Sequence, residues 1–230
     1  MTHLINTNNT EPTIIHDIEI NWSRLIARRP TTLAHSADLP KYLLLPEIKL
    51  LLDNALDAAD HLIINTLWHT GARVSELVAL RPCDFNIDNQ ESFVSIQSLK
   101  KRPGRKKKNQ APIVPRMVPI TELEYLWELE SYIKTNRLKR TDNLFKMTRQ
   151  TVDNRIKKIV LSAEKKGLHF DISVTAKTFR HSFAVNSVLH FRPISTVQQW
   201  LGHERRETTE IYTQVMAGDT AHEMKQVKFR

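Results

Sequence analysis

Residues 175–212 read TAKTFRHSFAVNSVLHFRPISTVQQWLGHERRETTEIY, and the spacing inside this stretch governs how the remainder of the chain is read. Its apolar residues recur at helical intervals and predict helices near 175–190 and 193–201, the second opened by Pro193 and stopped by Gly202. Lys177 and Arg180 fall one helical turn apart, His203 follows the glycine stop, and Tyr212 comes nine residues after His203. Far upstream, TGARVSELVAL sets a second arginine, Arg73, just after the Thr70-Gly71 break and ahead of a short apolar helix over 74–80. An arginine fork holds two phosphate oxygens at once, and a tyrosine hydroxyl can act as a covalent nucleophile. Two arginines, a late histidine and a tyrosine therefore point to chemistry on a phosphodiester. Taken singly, each has a plainer reading: His203 as a helix closure, Tyr212 as a half-buried aromatic, Arg73 as a surface cation. Phe183 and Trp200 are read as core.

Beyond this stretch the pattern is mainly helical. In LLLPEIKLLLDNALDAAD (43–60), Pro46 sits in a tolerated first-turn position and Ile48, Leu51, Leu52, Ala55 and Leu56 make one apolar face. A second helix is expected over about 61–69. Residues 92–99 alternate as a strand does, and Met117-Val118-Pro119-Ile120 reads as its return. Between them, positions 100–108 hold seven Lys or Arg around a Pro103-Gly104 turn: Lys100, Lys101, Arg102, Arg105, Lys106, Lys107 and Lys108. Thr121-x-x-Glu124 has the form of a capping box and predicts a helix from there to about Arg137. Thr148 caps a long helix over 149–166 that Gly167 ends, with Val152, Ile156, Ile159, Val160 and Ala163 facing the core. The expected fold class is α+β: mainly α, with a small antiparallel sheet of two or three strands. Residues 1–40 read as an arm in which Ile18, Trp22, Leu25 and Ile26 form a short amphipathic helix that Pro30 should stop. Residues 41–230 read as the domain proper.

Composition narrows the partners. The chain of 230 residues is 40% hydrophobic, enough for a sizeable core, and carries a formal net charge of +9. Basic surfaces release counterions when they meet phosphates, so nucleic acid is the expected partner, with an ordinary basic enzyme as the plainer reading. The basic run 100–108 and the outer face of helix 149–166, with Arg149 and Arg155, are the expected backbone contacts. No stretch approaches the roughly 20 apolar residues of a membrane span, and the N-terminus has no secretory pattern. The single cysteine, Cys83, rules out an internal disulfide and fits a reducing cytoplasm.

The segments TGARVSELVALRPCDF, a strand ending in Lys100, KTFRHSFAVNSV and WLGHERRETTEIYTQV, in that order, resemble the catalytic domain of the tyrosine recombinases, the phage integrase family. The resemblance covers about Lys41 to Val215. It implies a site-specific recombinase of double-stranded DNA in which Tyr212 attacks a scissile phosphate to leave a 3′-phosphotyrosine, with no metal or other cofactor. Arg73 and Arg180 would clamp the non-bridging oxygens and His203 would add a hydrogen bond. Lys100 would protonate the 5′-oxygen, with Lys101 as its rival, and Glu76 would orient that lysine or a neighbouring site residue. The family usually has histidine where this chain has Lys177, which is read as a phosphate ligand and as a weaker candidate than histidine for exchanging a proton with the tyrosine near neutral pH.

The resemblance also implies a tetramer on paired sites, joined by exchange of the segment after Tyr212. Only 40 residues precede the match, a brevity similar to the fimbrial-switch recombinases, so the expectation is either that the catalytic domain binds DNA as an open half-clamp or that other subunits and host DNA-bending proteins supply further contacts. Two rivals keep the fold and change the activity. One is a DNA-binding accessory protein of recombinase descent, and the other is an enzyme of the type IB topoisomerase or telomere-resolvase kind.

Overall fold

The computed structural model describes residues 20–36, 38–88, 91–98 and 114–216. In order these form α1 (Trp22–His35), α2 (Leu45–Asp53), α3 (Ala58–Thr70), α4 (Val74–Leu77), β1 (Phe85–Asn86), β2 (Ser92–Ile96), β3 (Arg116–Ile120), α5 (Leu123–Thr135), α6 (Arg149–Lys165), α7 (Ala176–Leu189), α8 (Ile194–Leu201) and α9 (Glu207–Glu210). Short 3₁₀ turns cover Pro82–Asp84 and Ile211–Val215. The three strands form one antiparallel sheet in the order β1-β2-β3, with Val94 facing Val118 across the β2–β3 ladder and Phe85 facing Val94 across β1–β2. A mainly helical chain with a small antiparallel sheet is the architecture expected from the sequence.

Helix α3 is the central post. Its apolar residues do not keep to one stripe, and Leu62, Ile63, Ile64 and Leu67 are all buried, because α2, α5, α6, α7 and β3 pack around it. Asp57 caps its N-terminus by accepting from the Asp60 N–H at 2.8 Å, and Gly71 closes its C-terminus in the left-handed region at φ +58°. A Cβ at Gly71 would lie 2.6 Å from Phe183 Cδ1 and 3.2 Å from Leu201 Cδ2. Gly71→Ala is therefore expected to lower stability by about 2–4 kcal/mol, combining left-handed strain with overpacking. Urea unfolding checks this, and a loss below about 1 kcal/mol would contradict it.

Several local expectations are corrected by tertiary context. Helix α1 does not stop at Pro30 but runs through it to His35. An interior proline costs about 3 kcal/mol. The helix persists because Leu25 and Arg29, one turn apart, are both anchored in the domain. Arg29 is 2% exposed and donates to Tyr42 O at 3.2 Å and Glu47 Oε2 at 2.5 Å, so this part of the arm docks on its own chain. Helix α2 ends at Asp53, which leaves Leu56 exposed rather than on its apolar face. Thr121 caps nothing: α5 begins at Leu123 with Glu122 at the cap position and no side-chain bond. The helix predicted over 74–80 is a single turn followed by Val78 and Ala79. Phe183 is buried as expected, and Trp200 packs edge-on against it with ring centroids 6.2 Å apart. Among the described residues no helix is long and apolar enough to cross a membrane.

Candidate active site

Two glycine-capped helix ends and the middle of α7 converge on one place. Gly71 ends α3 and Gly202 ends α8, both in the left-handed region, and each is followed within two residues by a predicted site residue, Arg73 and His203. Arg180, buried on α7, bridges the two ends: one guanidinium nitrogen donates to Gly71 O at 2.7 Å and the other to Leu201 O. A cation is favourably placed where two helix C-termini present carbonyls. Sequence spacing thus becomes geometry, because Arg180 brings the chain around Arg73 and His203 to itself.

Glu76 is the counter-charge of the site. It is 2% exposed, and its carboxylate accepts from the Arg73 N–H at 2.8 Å, from Arg73 Nη1 at 2.9 Å and from both ends of the Arg116 fork at 3.1 and 2.6 Å. Burial works against its charge, but the hydrogen bonds and charge of Arg116, then those of Arg73, more than offset that and hold its carboxyl below the usual range. Arg116 also donates through Nε to Trp200 O at 2.7 Å, so this hydrogen bond ties the ion pairs between β3 and the start of α4 to the end of α8. Glu76 thus contacts Arg73, one of the predicted site residues, through both its backbone and its side chain. Sequence reasoning does not find Arg116, since it closes a basic run and nothing local sets it apart from surface cations.

Three arginines around one carboxylate leave the site positive. Burial, followed by the charges of Arg73 and Arg116, pushes the Arg180 pKa down, the mark of a cation that an anion would stabilise. His203 bonds Thr209 Oγ1 through Nδ1 at 2.9 Å, which leaves Nε2 as the edge available to a substrate. Burial and then Arg180 and Arg73 push its pKa down to about 4, so the ring is neutral near pH 7.

Tyr212 lies in the 3₁₀ turn after α9, 1% exposed, with its hydroxyl 2.7 Å from His181 Nδ1. Burial pushes its pKa up to about 12, against the field of Arg180, which lowers it. Arg73, Arg180, His203 and Tyr212 are therefore gathered in one region. Lys177 is exposed on α7, one turn before His181. In the sequence His181 is part of the motif but carries no assigned role. The signal that marks it, contact with Tyr212, exists only after folding.

The expected DNA-contact residues divide. Lys100, Lys101, Arg102, Arg105, Lys106, Lys107 and Lys108 lie outside the described residues. Arg149 is exposed at the start of α6. Arg155 is instead tied to Asp57 at 2.9 Å and Asp60 at 2.6 Å, which clamps α6 onto the N-terminus of α3.

Residues 41–218, most of the chain, match the phage integrase family. The chain belongs to that family. A probable site-specific recombinase in the afa region of Escherichia coli is 38% identical over 184 residues, covering 79% of this chain and 73% of that protein. The tyrosine recombinase XerA of Pyrococcus horikoshii is 34% identical over 182 residues, covering 77% of this chain and 58% of its own length. The crystal structure of the XerH site-specific recombinase bound to difH substrate, a pre-cleavage complex, shares the fold with a TM-score of 0.62 at 22% identity, over 80% of this chain and 54% of that one. The chain thus spans just over half the length of those last two proteins.

Proposed function

We propose that this chain is a tyrosine-type site-specific DNA recombinase, cutting and rejoining duplex DNA through Tyr212. The observation that carries the reading is the convergence of Tyr212 with Arg180, whose guanidinium is fixed between the loops that carry Arg73 and His203. In the forward step the Tyr212 oxygen bonds to phosphorus and the bond to the 5′-oxygen breaks. The product is a 3′-phosphotyrosine and a free 5′-hydroxyl. Arg73 and Arg180 stabilise the charge that grows on the non-bridging oxygens, and His203 donates a further hydrogen bond. Lys100 supplies the proton to the leaving 5′-oxygen, with Lys101 as the alternative donor. Lys177 binds phosphate from the rim of the site. One phosphoester replaces another, so the same groups run the step backwards to rejoin strands.

The basic segment 100–108 and Arg149 contact the DNA backbone in this reading, and four subunits act on two paired sites through exchange of the segment after Tyr212. Inversion, integration with excision, and multimer resolution all use this chemistry on differently arranged sites.

The test is a nicked suicide duplex carrying the target site, incubated with wild-type and Tyr212→Phe protein in EDTA. Wild type is expected to form an SDS-stable adduct at the 3′ side of the break, and Tyr212→Phe none. An adduct that persists in Tyr212→Phe would assign the nucleophile elsewhere.

A further inference from the structure

We propose that His181 is the general base that accepts the phenolic proton of Tyr212. The proposal rests on the recombinase reading above and names a residue to which that reading gives no role.

The geometry is direct: His181 Nδ1 lies 2.7 Å from the Tyr212 hydroxyl, within the reach required of a base in the ground state. The direction of the proton follows from counting partners. Among the described residues His181 Nε2 is buried without a hydrogen-bond partner, and the Tyr212 hydroxyl bonds only to His181. If Nδ1 carried the ring proton, both the phenolic hydrogen and the Nε2 lone pair would be left unpaired. If Nε2 carries it, the phenol donates to Nδ1 and a single donor is left over. Each unpaired buried group costs about 1–3 kcal/mol, so the second arrangement is favoured. In it the lone pair of Nδ1 already points along the O–H bond that must break.

The rival bases are poorly equipped. His203 uses Nδ1 on Thr209. Lys177 is exposed, and an ammonium group has three donors and no acceptor. The charged and titratable groups around His181 are Lys177 and Arg180 on its own helix, His203 from the turn after α8, and Tyr212. Burial, then Lys177 and Arg180, pushes its pKa down to about 4, which keeps the lone pair free but makes the base weak. A phosphate seated on Arg73 and Arg180 would offset those cations. The base then strengthens when substrate is bound, and Tyr212 is not ionised beforehand.

The step balances. The Tyr212 oxygen bonds to phosphorus, its proton moves to His181 Nδ1, the bond from phosphorus to the 5′-oxygen breaks, and the leaving oxygen takes its proton from Lys100 or Lys101. Rejoining returns the proton from His181 to the tyrosine oxygen.

The probe is a duplex recovered from a library of nicked DNAs with a randomised core, selected for SDS-stable adduct with wild-type protein. Single-turnover adduct formation is then compared for wild type, His181→Asn and His181→Gln, with gel-shift binding as the control for folding. His181→Asn keeps an acceptor near the Nδ1 position but cannot take a proton. Cleavage is expected to slow by about 10²-fold or more without loss of binding. The rate should level off with rising pH in wild type and keep rising in the asparagine variant, where hydroxide must remove the phenolic proton. A bridging 5′-phosphorothiolate, whose leaving group needs no proton, should not rescue the variant. A wild-type rate in both variants, an unchanged pH profile, or rescue by the phosphorothiolate overturns the assignment while leaving Tyr212 as nucleophile. A library that yields no adduct with wild type overturns the recombinase reading, and the role of His181 with it.

Discussion

Glu76→Gln is expected to lower the unfolding free energy by about 3–5 kcal/mol at neutral pH, the loss typical of removing one side of a buried ion pair. It is expected to slow strand cleavage as well. The substitution keeps volume and shape but removes the charge and turns one acceptor oxygen into a donor facing two N–H groups, so a packing defect does not explain a loss. Arg116, bound at both ends of its fork, and Arg73, bound through backbone and side chain, would be left beside Arg180 with no negative group between them. The pH dependence discriminates this origin from any other. The folded-state pKa of Glu76 lies below the ordinary value of 4.5. Its contribution to stability is therefore fully present above about pH 4.5 and is lost as pH falls through the folded value. Wild type and variant should differ most above that pH and approach each other in stronger acid. Urea melts across the range provide the measurement. A gap that stays constant into strong acid would show that the carboxylate charge is not what holds Arg73 and Arg116.

How much of this site could be read in the sequence depended on whether a residue's partner is local. Arg73 and Arg180 stand beside glycine breaks or within a marked helix turn, and His203 and Tyr212 are separated by a spacing that survives folding because α9 and the turn after it are short. Arg116 and His181 have partners 40 and 31 positions away. Arg116 meets Glu76 only after β2 pairs with β3. His181 follows Arg180 by one residue, which on a helix turns it roughly 100° away, and its surroundings are set by the returning C-terminal turn. The same distinction explains the fold. Thr148 caps α6 as its sequence proposes, accepting from the Thr151 N–H at 3.2 Å. Pro30 should have ended α1, and a buried arginine pairing 18 positions away overrides it. Thr121 has a capping pattern that the return of β3 into α5 does not use. Local chemistry located the elements and most of the clamp. Long-range contacts decided exceptions such as Pro30, Arg116 and His181.

Arg180→Lys retains a positive charge and should still reduce the rate of cleavage by about 10²–10³-fold, the loss that follows removal of an oriented transition-state donor. The wild-type guanidinium donates to Gly71 O and Leu201 O at once, and this fixes the plane of its remaining N–H groups. An ammonium group is a point charge without that fork and cannot span both carbonyls in the same way. One helix end then loses its cation, and the loops bearing Arg73 and His203 lose their common tie. Duplex affinity should change far less, because many phosphate contacts share it. Single-turnover cleavage on the suicide duplex, set against gel-shift binding of the same duplex, separates the two effects. Equal losses in binding and cleavage would mean that Arg180 supplies attraction alone. A rate loss at unchanged affinity would mean that the fixed fork between two helix ends is what the transition state requires.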